Sequence, residues 1–146
     1  MFEGQIRPLN VLLVEDNPGD IRLMREALRD GVTRKKLDAV EDGEEALAYL
    51  RRQAPYANAP KPDLIFLDLN LPKKDGREVL NEIKRDEDLR RIPVVILTTS
   101  EAERDVSRAY ELHANCYIKK PTDLDEYMEV IRACENFWLH IVRLPR

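Results

Sequence analysis

The stretch that decides the fold is Leu-Ile-Phe-Leu-Asp-Leu-Asn-Leu-Pro, residues 64–72, in which four apolar residues run into the carboxylate of Asp68. A run this short and this apolar, bounded by the turn-forming residues 71–76, is typical of a strand buried on both faces. In open parallel sheets, ligands gather just beyond the carboxyl ends of the strands. From this stretch alone, Asp68 fits such a site and also fits a residue that caps a turn or a helix.

The rest of the chain alternates strand-like and helix-like segments. Apolar runs at 10–14, 37–40, 93–98 and 115–120 predict four more strands. Helical spacing follows each strand, with a predicted stop at Gly31 for the first helix and a last helix from about 124 to 140. Five β-α repeats predict one α/β domain with a five-stranded parallel sheet, doubly wound, in the flavodoxin-like (βα)5 arrangement with helices on both faces. The Pro-rich segment 51–62 is predicted to be a loop, and no role is assigned to it.

Composition limits the classes of function. The chain has 146 residues and a net charge of −4, which favours a single domain, 1–146 with a core over about 8–140, and excludes the basic footprint of a nucleic-acid-binding protein. Cys116 and Cys134 form no metal or redox spacing and are predicted to stay reduced. With no signal peptide and no apolar run of membrane-spanning length, a cytoplasmic protein without a membrane partner is expected. No output domain is expected after the last helix.

Polar side chains stand at the carboxyl ends of four predicted strands. They are Glu15 and Asp16, Asp68, Thr98, and Lys120. In a parallel sheet these ends share one edge, where three carboxylates would repel one another and require a counter-charge. A hard divalent cation such as Mg²⁺ accepts oxygen ligands of this kind, and a lysine and a hydroxyl can hold phosphate oxygens. Each residue alone has an ordinary structural reading as a helix-end acid, a cap or a surface lysine, but their joint placement indicates phosphoryl transfer onto an Asp.

These residues resemble the receiver domain of bacterial two-component response regulators over nearly the whole chain. The acidic pair matches Glu15-Asp16, the phosphoacceptor matches Asp68, the hydroxyl residue matches Thr98, and the Lys-Pro pair matches Lys120-Pro121. The resemblance therefore selects Lys120 over Lys119, implies phosphorylation of Asp68 by a sensor histidine kinase, and implies a cis peptide bond at Lys120-Pro121. It also implies an Mg²⁺ site formed by Glu15, Asp16, Asp68 and the backbone carbonyl of Asn70.

The same resemblance implies a conformational switch. Thr98 is expected to be pulled toward the phosphoryl group and Tyr117 to rotate inward, which would change the surface of the fourth helix, fifth strand and fifth helix. Since the residues that tune hydrolysis in this family correspond to Asn70 and Ser100, which are both small, the phosphorylated state is expected to be transient. A protein of this kind catalyses its own phosphotransfer and dephosphorylation only.

Several segments narrow the resemblance. Asp-Asn-Pro-Gly-Asp at 16–20, the Pro-rich loop, Leu-Thr-Thr-Ser at 97–100 and Asn-Phe-Trp at 136–138 look like the single-domain regulators of phytochrome-type histidine kinases. Such regulators often form homodimers. The downstream protein target is left open.

The last helix has a wider apolar arc than packing on a sheet requires, roughly 200° at the helical period of about 100° per residue. A surplus apolar face on a terminal helix is typical of a partner surface. We expect a homodimer that uses Val130, Cys134, Phe137 and Ile141. The alternative is that residues 139–146 fold back over this face.

Other functions stay open at this point. A haloacid-dehalogenase-like phosphatase also uses an Asp after a strand, but it needs a second Asp where this chain has Asn70. A flavin-binding protein would need a phosphate-cradling loop after the first strand, where acids stand instead. A phosphorelay intermediate and a scaffold that works without phosphorylation are the remaining alternatives.

Overall fold

The computed structural model describes residues 8–29 and 35–145, and in this part of the chain five strands alternate with five helices. The strands are β1 (Leu9–Val14), β2 (Lys35–Val40), β3 (Leu64–Leu67), β4 (Val94–Thr98) and β5 (Cys116–Lys119). The helices are α1 (Pro18–Arg29), α2 (Gly43–Leu50), α3 (Gly76–Arg85), α4 (Glu103–Glu111) and α5 (Leu124–Asn136), and a turn of π-helix (Phe137–Ile141) continues α5. The predicted stop at Gly31 lies outside the described residues.

The strands form one parallel sheet in the order β2-β1-β3-β4-β5. This confirms the predicted doubly wound architecture. The second strand begins at Lys35 rather than at 37, because it pairs with β1 along its whole length from Leu9↔Lys35 to Val14↔Val40. All carboxyl ends of the strands therefore meet at one edge of the sheet.

Two apolar layers cover the sheet. One contains Leu12, Ile65 and Ile96 and is closed by α2, α3 and α4. The other contains Leu13, Phe66 and Val95 and is closed by α1 and α5. Since helices cover both faces, every residue of β3 and β4 is buried, which explains why these strands appear in the sequence as unbroken apolar runs.

The end of the chain differs from the prediction. The last α-helix ends at Asn136, before the π-helical turn, and Leu144 of the following tail is buried beside Leu9. The tail thus packs near the start of β1, while Phe137 and Ile141 stay 49% and 66% exposed. Among the described residues, no helix is both long and apolar enough to cross a lipid bilayer.

The prediction that Cys134 lies on a partner surface is wrong for this structure. Cys134 is 7% exposed and belongs to the core layer between the sheet, α1 and α5, and Val130 is partly buried against the same layer. The helical period shows how wide an apolar arc is, but it does not show how much of the arc the protein itself covers. Because α5 packs on α1 as well as on the sheet, it buries two adjacent rows of side chains.

Candidate functional site

Three acidic side chains converge where β1 and β3 end. The Asp68 amide donates to the Val14 carbonyl at 3.1 Å, and the Glu15 amide donates to the Val40 carbonyl at 3.0 Å, so both residues still continue the strand ladder. Carboxylate oxygens of Glu15, Asp16 and Asp68 all lie within 4.8 Å of one another. Glu15 and Asp68 are buried, and Asp16 is exposed to solvent.

Lys120 supplies the positive charge at this cluster. Its Nζ donates to Glu15 Oε1 at 2.5 Å, to Asp20 Oδ2 at 2.8 Å and to Asp68 Oδ2 at 3.1 Å. The three ammonium protons therefore each have a carboxylate acceptor. Lys119 lies on the other face of the strand end, exposed, and pairs with Glu101 at 2.8 Å. The structure thus brings Lys120, and not Lys119, to the acidic edge.

Asp20 is a member of this cluster that the sequence analysis missed. It lies in the first turn of α1 and reaches Lys120 across the edge of the sheet. An acid in the first turn of a helix has an ordinary explanation in the helix dipole, which is why it carries no signal of its own. Its position in the first turn of α1, directly after the loop that follows β1, is the hint in the sequence that it lies near the same edge.

The electrostatics of the cluster follow from burial and from Lys120. Burial raises the pKa of Glu15 to about 7, although the hydrogen bond from Lys120 acts in the opposite direction. Burial acts to lower the pKa of Lys120, but the carboxylates of Asp20 and Glu15 outweigh it and hold that pKa above its ordinary value. The ammonium is therefore charged at neutral pH, while one buried carboxyl is poised to gain or lose a proton.

The phosphoacceptor candidate is held from several sides. Asp68 Oδ1 accepts from the Asn70 amide at 3.2 Å, and Oδ2 accepts from Lys120. The backbone behind Asp68 packs directly on Gly76 at the start of α3, where an added Cβ would lie 2.2 Å from the Asp68 carbonyl oxygen. The Gly76 amide also donates to the Leu69 carbonyl at 2.9 Å. The loop after β3 therefore needs glycine at this position in order to present Asp68.

Thr98 closes β4, the strand next to β3. Its side chain is fully buried, and its hydroxyl makes no hydrogen bond within the described part of the chain. The Lys120 amide donates to the Thr98 carbonyl at 2.7 Å, which ties the ends of β4 and β5 together. A buried hydroxyl without a partner is costly and calls for an acceptor that arrives from outside the chain.

Tyr117 already lies against the loop after β4. Its hydroxyl donates to the Ser100 carbonyl at 2.8 Å, and its ring is partly buried on the core layer under α4. Tyr117 is thus partly buried and tied to this loop, and its expected rotation on phosphorylation stays a prediction. The Tyr117 amide also donates to the hydroxyl of Tyr110 on α4 at 3.2 Å.

The donor set fits a hard divalent cation. Oxygen ligands only, two of them buried and one open to solvent, are what Mg²⁺ and Mn²⁺ accept in proteins. The expected cis bond at Lys120-Pro121 is absent from this structure. Among the described residues the cis peptide bond is Ala54–Pro55, in the Pro-rich loop.

Comparison with known proteins agrees with this geometry. The profile of the response regulator receiver domain matches residues 11–132. The response regulator Rcp1 of Synechocystis sp. (strain ATCC 27184 / PCC 6803 / Kazusa) is 51% identical over 138 residues, which cover 94% of this chain and 94% of the relative.

Two solved structures share the fold closely. The Mn²⁺-bound form of Rcp1 superposes with a TM-score of 0.93 at 51% identity, covering 95% of this chain and 100% of the other. The phosphorylated cyanobacterial phytochrome response regulator RcpA superposes with a TM-score of 0.94 at 52% identity, covering 96% and 100%. The sheet, the acidic edge and these likenesses together show that the chain belongs to the response regulator receiver domain family.

Proposed function

We propose that this protein accepts a phosphoryl group from a histidine kinase onto Asp68 and thereby switches a binding surface. The observation that carries the proposal is the placement of Asp68, a buried carboxylate at the end of β3 that Lys120 and the Asn70 amide hold in position. The family to which the chain belongs supports the same assignment.

The chemistry needs little more than positioning and charge neutralisation. A carboxylate oxygen of Asp68 attacks phosphorus, the phosphorus–nitrogen bond of the donor phosphohistidine breaks, and its electron pair stays on the imidazole. Lys120 exchanges its contact with Asp68 for a phosphoryl oxygen. The Thr98 hydroxyl, which has no partner in the described part of the chain, donates to a second phosphoryl oxygen. Both contacts stabilise negative charge that the acidic edge would otherwise repel.

A divalent cation belongs to this proposal. Glu15, Asp16, Asp68 and the Asn70 carbonyl would hold it, and Mg²⁺ is the ion we propose. When bound, it neutralises the carboxylates and phosphoryl oxygens in this reaction. Without it, Lys120 is the only cation that touches Asp68 within the described residues.

The finer assignments rest on the relatives. RcpA is described as a cyanobacterial phytochrome response regulator, and we propose a phytochrome-type kinase as the donor, in the cytoplasm.

The proposed output surface is formed by α4, β5 and α5, because Tyr117 joins β5 to the loop after Thr98. Asn70 is exposed, so water can approach the acyl phosphate, and we propose self-catalysed dephosphorylation that makes the phosphorylated state transient. We also propose a homodimer through the end of α5.

The test is transfer of radioactive phosphate from an autophosphorylated phytochrome-type kinase, with and without Mg²⁺. Asp68→Asn should take up no label, and removal of Mg²⁺ should abolish transfer to the unaltered chain. Asp63→Asn is the matched control, because Asp63 is equally buried at the opposite end of β3. Labelling of the Asp68→Asn variant at the normal rate would disprove the assignment, and transfer only from kinases without a photoreceptor would disprove the proposed donor.

A further inference from the structure

A chain of charged and polar contacts joins the loop after Asp68 to α4. Arg77, at the start of α3, donates through Nη2 to Asp105 Oδ1 at 2.8 Å. Its Nη1 contacts both carboxylate oxygens of Asp75, at 3.0 and 3.2 Å, and the Asp75 side chain also caps α3 by accepting from the Arg77 amide. The guanidinium is therefore fixed on the loop that carries Asp68 and reaches out to the neighbouring helix.

The contacts continue from Asp105 into the loop after Thr98. The Ser100 hydroxyl donates to Asp105 Oδ2 at 2.6 Å, and the Ser100 carbonyl accepts from Tyr117. Both carboxylate oxygens of Asp105 are thus occupied, one by Arg77 and one by Ser100. The Ser100 hydroxyl and the Arg77 guanidinium hold the pKa of Asp105 below its usual range, which keeps it charged.

The first turn of α4 has little else to hold it. The residue before the helix, Ala102, offers no side-chain cap, and Ala109 is the only residue of α4 that is fully buried. A helix with so small a buried face depends on polar contacts for its position. The pair of Arg77 and Asp105 is partly shielded, with side chains 29% and 17% exposed, so solvent screens it less than an open surface pair.

We propose that Arg77 and Asp105 are positioning residues for phosphorylation, which preorganise the loop of Thr98 and Ser100 and dock Tyr117 before the phosphoryl group arrives. The inference rests on the proposed function of Asp68. Arg77 does not touch the reacting atoms. It acts through Asp105 on Ser100, so that the unpartnered Thr98 hydroxyl is held where a phosphoryl oxygen can accept from it.

The direction of the effect follows from the structure. All contacts of this network are present together with the hydrogen bond from Tyr117 to Ser100, and on this proposal the conformation they stabilise is the one that binds a phosphoryl group. A variant that loses one contact populates other loop conformations, and its affinity for a phosphoryl mimic falls by the fraction of the competent form that is lost. For a partly shielded, charge-assisted contact we expect a loss of about three- to tenfold.

The experiment measures beryllofluoride binding in the presence of Mg²⁺ by ¹⁹F NMR, with acetyl phosphate labelling as the second readout. Arg77→Gln and Asp105→Asn should each weaken binding about three- to tenfold, and the double variant should be no weaker than the weaker single one, because both break the same link. Arg77→Lys keeps the charge but loses the fork that spans Asp75 and Asp105, and should lie in between. Tyr117→Phe removes the hydroxyl that donates to the Ser100 carbonyl. In that background, Asp105→Asn should therefore reduce the affinity for beryllofluoride by a smaller factor.

Arg108→Gln is the matched control, since Arg108 pairs with Glu111 on the exposed face of the same helix. It should bind beryllofluoride within about twofold of the unaltered chain, and thermal unfolding of every variant shows whether it is folded. Normal affinity of both Arg77→Gln and Asp105→Asn, or fully multiplicative losses in the double variant, would overturn the inference. Should the unaltered chain bind no beryllofluoride, the proposed role of Asp68 fails and the inference fails with it.

Discussion

At the residue scale, the charge balance of the acidic edge depends on one ammonium group. Lys120 is 5% exposed and has three carboxylate acceptors, so removing it would leave Glu15 and Asp68 buried without their counter-charge. Buried ion pairs contribute modestly to stability as intact pairs, but breaking one by deleting a single partner is costly. The same ammonium is what the phosphoryl group would meet.

We therefore expect Lys120→Ala to lower the free energy of unfolding by about 3 kcal/mol at neutral pH in metal-free buffer. Urea denaturation measures this, and added Mg²⁺ should restore part of the loss because it neutralises the same carboxylates. Lys119→Ala removes a lysine whose ion pair is exposed, and should cost less than about 1 kcal/mol. Equal losses for the two lysines would contradict the charge-balance argument.

The raised pKa of Glu15 predicts how metal binding depends on pH. With its pKa near 7, Glu15 is protonated below that pH and cannot act as a ligand until the proton leaves. Lowering the pH below 7 therefore weakens Mg²⁺ binding, whereas raising it above 7 does not. Between about pH 8 and about pH 6, the affinity for Mg²⁺ should fall by about tenfold, as fluorescence or calorimetric titration would measure. In Glu15→Gln the affinity should be lower and nearly independent of pH over this interval. A flat profile for the unaltered chain would contradict the assignment.

At the scale of elements, the sequence predicts the strands most accurately where they are completely buried. The strand that ends at Asp68 and the one that ends at Thr98 were predicted to within a residue, because helices cover both of their faces. Glu15, Asp68 and Thr98 were found because they stand at the ends of β1, β3 and β4, which are almost wholly buried, whereas Lys120 follows β5, which is only partly buried. Links between loops have no such signal: the Arg77–Asp105 contact depends on how two connections fold, which no spacing in the sequence encodes.

The loop that presents Asp68 offers a test at this scale. Gly76→Ala places a Cβ 2.2 Å from the Asp68 carbonyl oxygen, and because the obstacle is backbone, the loop has to move. We expect a loss of about 2 kcal/mol in stability and slower labelling of Asp68. Gly19→Ala is the matched control, since its Cβ would meet only a side-chain oxygen of Asn17 at 3.2 Å. If Gly76→Ala labelled at the normal rate, the close packing of α3 against Asp68 would have no part in positioning it.

At the scale of the whole molecule, the acidic edge lies at one end of the sheet, and exposed apolar side chains lie on the π-helical turn that follows α5. The sequence pattern predicted an apolar surplus on this helix, but it could not separate the part that packs on α1 from the part that stays in solvent. The structure makes that division, with Cys134 inside the core and Phe137 and Ile141 outside it. The ring of Phe137 also stacks edge-to-face on Trp138, at 5.4 Å between ring centroids, which holds it in a defined position.

The homodimer is therefore best tested at Phe137. Phe137→Glu puts a charge on a side chain that is already 49% exposed, so the fold should survive while an apolar contact between two copies should not. In sedimentation at high micromolar concentration, the unaltered chain should be a dimer and the variant a monomer. Leu124→Glu is the matched control, because Leu124 is 62% exposed at the start of α5, far along the chain from the turn that carries Phe137, and this variant should stay dimeric. If the unaltered chain were monomeric at this concentration both with and without phosphorylation, the proposed dimer through the exposed turn would be excluded.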